Sequence, residues 1–238
     1  MRPTRIPVPP PRPSLLCYHI GVENAFFKVW AWQIGGLKIT PLMIIFPLTV
    51  VYYLFQVWRK FKNDYPQEAI IRFSLYTLLA FILSAGLVWL LGGKELSLLF
   101  GLLSLIISAV FFCRAYKWNS WSFLEGIMPS LLVGGMMLVF GLIFSPEEVV
   151  YMKKQNAAIQ IIFLFIAWVS TKLMAGYRSF SWYPSGKAGF LFLAPLIIVF
   201  LLEGGLDFYL RNGLYWQSLA SGLVAAVAGT IFFIRAKG

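Results

Sequence analysis

The stretch IIRFSLYTLLAFILSAGLVWLL, residues 70–91, decides the fold. It runs for 22 residues with a single charge, Arg72. As an α-helix rising about 1.5 Å per residue it spans the roughly 30 Å hydrocarbon core of a bilayer. Its few polar residues, Ser74, Thr77 and Ser84, do not alternate with apolar ones as a membrane β-strand requires. Backbone in lipid must satisfy its own hydrogen bonds, so an unalternating run of this length reads as a helix.

Working outward, the same pattern recurs. Spans are predicted at 41–58, 70–91, 96–113, 127–144, 158–175, 188–204 and 216–234. The breaks between them are polar or turn-forming: Arg59 to Asp64, Gly92 to Glu95, Arg114 to Gly126, Ser145 to Asn156, Gly176 to Lys187, and Gly204 to Gly213. Pro41, Pro129 and Pro195 lie in or near spans, which membrane helices tolerate when neighbours satisfy the freed carbonyls. The expected fold is all-α, a polytopic membrane protein built as a bundle of about seven transmembrane helices over residues 34–238.

Composition agrees. Of the 238 residues 60% are hydrophobic and 12% charged, and mean hydropathy is +0.78. A soluble domain carries about 25% charged residues, so this chain has too few to cover a water-facing surface. The net charge of +11 does not mark a nucleic-acid binder, because the basic residues are spread over short loops. Cys17 and Cys113 are far apart in sequence and suggest no disulfide framework. With His19 the sole histidine, no dedicated metal site and no cofactor is implied.

Residues 1–16, MRPTRIPVPPPRPSLL, are proline-rich and read as an extended tail. Leu15-Leu16-Cys17 is a poor lipoprotein box, because Leu16 is too large before a lipidated cysteine and no apolar signal region precedes it. Residues 25–34, AFFKVWAWQI, suit a short interfacial helix, so 1–33 form a tail and interfacial segment.

The cations set an orientation. Arg59, Lys60, Lys62, Arg72, Arg114, Lys117, Lys172, Arg178, Lys187, Arg235 and Lys237 fall on one side of the spans. Lys94, Lys153, Lys154 and Arg211 fall on the other, 11 against 4. The positive-inside rule places the C-terminus in the cytoplasm and the N-terminus outside. Arg2, Arg5, Arg12, Lys28 and Lys38, ahead of the first span, run against that bias. On the last span Ser218, Gly222, Ala225, Ala226 and Gly229 are small enough for close helix packing.

Three stretches resemble the prolipoprotein diacylglyceryl transferase family, bacterial inner-membrane enzymes that move diacylglyceryl from phosphatidylglycerol onto a lipoprotein cysteine. Ile34-Gly35-Gly36-Leu37-Lys38-Ile39 is similar to the family's motif ahead of the first helix. Leu124-Glu125-Gly126-Ile127-Met128-Pro129, with Gly134, resembles the start of its signature helix. Gly189 to Glu203, fourteen residues on, resembles its glycine-to-glutamate helix. The resemblance implies a seven-span fold with an external N-terminus, phosphatidylglycerol as lipid partner and a lipoprotein precursor as protein partner, in the bacterial cytoplasmic membrane.

The same resemblance shows what has changed. The family's polar positions fall on Leu42, near Leu99, near Val139 and Leu142, and on Val199 and Leu206; Glu203 is the carboxylate retained. Transfer needs cations or donors for the phosphate and a base or hydrogen-bond partner for the thiol. Neither stands at the expected positions, so no catalytic residue is assigned. Glu203 is the candidate site residue, with Lys94 and Arg211 as head-group or pairing contacts. Its bland alternative is a hydrated helix end paired with one of those cations. Asp207 and Arg211 suit a surface pair, and Glu147-Glu148 with Lys153-Lys154 a solvated loop. Two functions stay open: a transferase with a rearranged site, and a non-catalytic relative that binds lipid or a membrane partner. A small transporter is disfavoured by the scarcity of charge inside the spans.

Overall fold

The computed structural model describes residues 32–34, 37–91, 97–145, 154–181, 183–210 and 216–237. They form seven α-helices preceded by a short hairpin: β1 Trp32–Ile34, β2 Leu37–Ile39, α1 Pro41–Phe61, α2 Gln67–Leu90, α3 Ser97–Ala115, α4 Ser120–Ile143, α5 Lys154–Leu173, α6 Phe190–Leu210 and α7 Trp216–Lys237. α1, α2 (to Val88), α4 and α7 (from Ser218) are long and apolar enough to cross a membrane. α3, α5 and α6 carry shorter apolar stretches, Phe100–Ala115, Ala157–Leu173 and Phe190–Leu206.

Three boundaries differ from expectation. Residues 32–34 are a strand, not part of an interfacial helix: Trp32 pairs with Ile39 and Ile34 with Leu37. The Gly35-Gly36 dipeptide between them is a strong hairpin signal, and it outweighs the aromatic helix pattern. The 25–31 part of that segment, the proline-rich tail, Cys17 and His19 lie outside the described residues.

α4 starts at Ser120 rather than near 127. Asn119 caps it, its Oδ1 accepting the N–H of Trp121 at 3.1 Å and of Ser122 at 3.2 Å. The first two turns look like a loop only because Ser120, Ser122 and Glu125 dilute their hydropathy. α6 runs through Gly204-Gly205 to Leu210. Gly204 is a packing residue there: a Cβ on it would sit 3.4 Å from the Cβ of Ser221 on α7.

Helices consecutive in sequence are antiparallel, as are α1 and α4, whereas α4 and α6 run parallel. Ser84 and Ser104 bond across α2 and α3 to the carbonyls of Phe100 and Ala80. Thr49 and Ile45 of α1 pack on Gly134 and Gly141 of α4. α4 is the hub, touching α1, α3, α5 and α6. The chain therefore rises and falls, and all eleven cations of the richer side gather at the end where α1, α3, α5 and α7 finish. The tightest packing is also there: Phe61 stacks on Phe123 at 4.0 Å and Phe73 meets Phe123 edge-on at 4.4 Å. Of the small residues expected to pack on α7, Ser218 and Ala225 are buried, whereas Gly222 and Ala226 are exposed and a Cβ on Gly222 or Gly229 would meet nothing within 4 Å; the packing face is Ser218, Ser221, Ala225 and Ala228.

Candidate functional site

Glu203 is not at a helix end. It lies within α6, seven residues before Leu210, because the glycines after it continue the helix. Its Oε1 accepts the side-chain amide of Gln160, on α5, at 3.0 Å. Lys94 and Arg211, its two expected partners, lie outside the described residues, as do Glu147, Glu148 and Lys153. A carboxylate inside an apolar bundle needs a donor, and an amide on the facing helix supplies one. Gln160 escaped sequence reading; its signal was a lone polar side chain amid the otherwise apolar run Ala157–Ala167.

The positions the family resemblance singles out lie toward the same end of the bundle. Val139 and Leu142 occupy the last two turns of α4 and are buried. Val139 packs with Ile143 and with Ala157 of α5. Leu42 opens α1 at the same end, its N–H donating to the Ser145 hydroxyl at 3.2 Å, while that hydroxyl donates to Gly141 at 2.8 Å. Val199 is one turn deeper in α6 and packs against the main core. Leu206 is half-buried further along α6, and Leu99 stands in the first turn of α3. Among the described residues this end of the bundle is largely aliphatic, with the Glu203–Gln160 hydrogen bond and the Ser145 hydroxyl among its polar contacts. Apart from Glu203 itself, the residues named here carry no charge that could meet a phosphate. Among the described residues no three His, Cys, Asp or Glu side chains cluster as metal ligands.

A denser polar junction sits at the opposite, basic end. Glu125 projects from the second turn of α4 toward the start of α6. Its Oε1 accepts the N–H groups of Gly189 at 2.7 Å and Leu191 at 2.9 Å, and its Oε2 accepts the Tyr177 hydroxyl at 3.2 Å. It thus caps α6 from another helix, where orphan N–H donors and the positive end of the helix dipole both favour an anion. Tyr177 stacks on Phe190 at 4.8 Å and Tyr183 meets Phe190 edge-on at 4.9 Å. Burial raises the Tyr177 phenol above the ordinary value of 10.0; the Arg178 hydrogen bond opposes the rise and the Glu125 charge adds to it.

Gly189 makes the junction possible. Its φ of +117° and a Cβ that would fall 2.8 Å from the Trp121 ring both require glycine. Above that ring sits the Arg235 guanidinium, 4.3 Å from the centroid, and Arg235 Nη2 donates to the Ala188 carbonyl. The junction therefore ties α4, α6 and α7 together. The Glu125 carboxylate already accepts three internal donors, which makes it a lock rather than a base. The sequence motif contained Glu125 and Gly189, 64 residues apart, and nothing in either stretch announced that they meet.

No protein-family profile, curated protein or solved structure matches the chain.

Proposed function

We propose that the chain is a seven-span protein of the bacterial cytoplasmic membrane, of the prolipoprotein diacylglyceryl transferase type, that holds membrane phospholipid without transferring it. Its N-terminus is outside and its C-terminus cytoplasmic. The observation that supports this most is the layer around Glu203: Leu42, Val139, Leu142 and Val199 place aliphatic side chains where the resemblance expects phosphate- and thiol-handling groups. The replacements fall together at one end of the bundle, while the packing that keeps α4, α5 and α6 in place persists around them. Loss of head-group chemistry with retention of an apolar interior leaves a lipid-holding scaffold.

The test is restoration. Expressed in bacterial cells depleted of their own transferase, the chain should leave lipoprotein precursors unprocessed while accumulating in the membrane. Mature lipoproteins would overturn the non-catalytic reading.

A further inference from the structure

One helix ending recurs at three points of the basic end. Lys62 lies over the Trp58 ring at 5.0 Å, Lys172 over Trp168 at 5.7 Å and Lys237 over Phe233 at 4.4 Å. Each lysine stands four residues after its ring, in or just past the last turn of α1, α5 or α7. Each ammonium is therefore folded back along its own helix toward the apolar span, and it shares the level of its ring. Trp58 and Trp168 are half-buried against the core, while Phe233 and all three lysines are exposed.

These lysines are not neutralised from within. Asp64, Glu68 and Glu125 are the acidic residues at this end, against eleven cations. Glu68 is taken by Arg72, in the sole salt bridge among the described residues, and Glu125 by its internal donors. An ammonium seated on an aromatic face still has N–H donors to offer an anion on its other side.

We infer that the three aromatic–lysine pairs form a docking surface for the phosphates of anionic phospholipids in the leaflet at the basic end. The surface stands apart from the layer around Glu203, at the other end of the bundle, and requires only that the helices cross a bilayer. Two observations select a lipid surface over an acidic protein. Exposed aromatic rings at the ends of apolar helices suit the depth where head groups begin, and a lysine at that depth meets phosphate. The pairs are also spread out: α1 packs chiefly on α2 and α4, α5 on α4 and α6, and α7 on α6. Separate anchors around a bundle match small anions lying in one plane, whereas an acidic protein needs a contiguous patch.

The test extracts the full chain in mild detergent from vesicles of equal phosphatidylglycerol and phosphatidylcholine, and counts the retained lipids by mass spectrometry. The native chain should favour phosphatidylglycerol about fivefold. Lys62→Gln/Lys172→Gln/Lys237→Gln should bring the ratio close to parity, with the melting temperature in lipid-free detergent unchanged. Lys60→Gln/Arg114→Gln/Lys117→Gln removes the same charge from exposed positions at the same end and should keep most of the preference. Equal loss in both triple variants would show bulk charge alone at work and overturn the paired seats. Retention of phospholipid with no preference for the anionic one would overturn this surface and leave the lipid-holding reading standing. Poly-glutamate should leave the retained phosphatidylglycerol in place; its displacement would mark an acidic-protein surface and overturn the lipid one.

Discussion

The Glu125 carboxylate and the Gly189 N–H meet at 2.7 Å across 64 residues of sequence, joining the start of α4 to the start of α6. Removing the carboxylate leaves the N–H groups of Gly189 and Leu191 and the Tyr177 hydroxyl without their acceptor. Each partly buried donor so orphaned costs about 1–3 kcal/mol. Glu125→Ala is therefore expected to lower the melting temperature in detergent sharply. Glu125→Gln, which keeps one acceptor oxygen, should fall between it and the native chain. Equal melting of all three would contradict the lock.

Tyr177 gives that lock a pH dependence. Its phenol is raised above 10.0, chiefly by burial. A group raised in the folded state contributes fully below its unfolded value and loses that contribution as pH rises through the folded one. At pH 8 Tyr177→Phe should be less stable than the native chain, having lost a hydrogen bond to a carboxylate. Above about pH 10 the difference should shrink, because the native phenolate then faces the Glu125 charge. Thermal melts of both proteins across that range check it.

The helices were legible because apolar runs of 17–22 residues admit little else, and most of the seven fall within a few residues of expectation. The misplacements share one cause. Hydropathy measures polarity, whereas α4 begins early because Asn119 caps it and α6 ends late because Gly204 packs on α7. The hairpin at Trp32–Ile39 was missed because an aromatic, amphiphilic segment suits either structure until the glycine pair is weighed. At the candidate site, Glu203 could be found from its isolation in an apolar run. Its partner could not, because nothing local in either helix specifies that α5 and α6 meet at Gln160.

For Glu203, the amide partner makes the two obvious substitutions diverge. Glu203→Gln retains an oxygen for the Gln160 amide and should shift stability by less than about 1 kcal/mol. Glu203→Leu strands that amide inside the bundle and should cost about 1–3 kcal/mol. A double substitution with Gln160→Leu should recover part of the loss. Melting curves of the three variants decide it, and equal losses in both single variants would sink the tie.

The gathering of basic residues at one end sets the expected topology. A reporter active only in the cytoplasm should be active when fused after Gly238 and silent when inserted at Gly92-Gly93. The reverse pattern would move the layer around Glu203 to the cytoplasmic face.

The central claim, that the chain holds phospholipid without transferring it, meets its most direct test in a transfer assay on the purified protein. Given phosphatidylglycerol with a labelled glycerol-linked acyl chain and a lipobox peptide, it should retain phospholipid through washing and pass no diacylglyceryl to the peptide cysteine above the protein-free rate. Steady formation of the diacylglyceryl thioether would contradict the account.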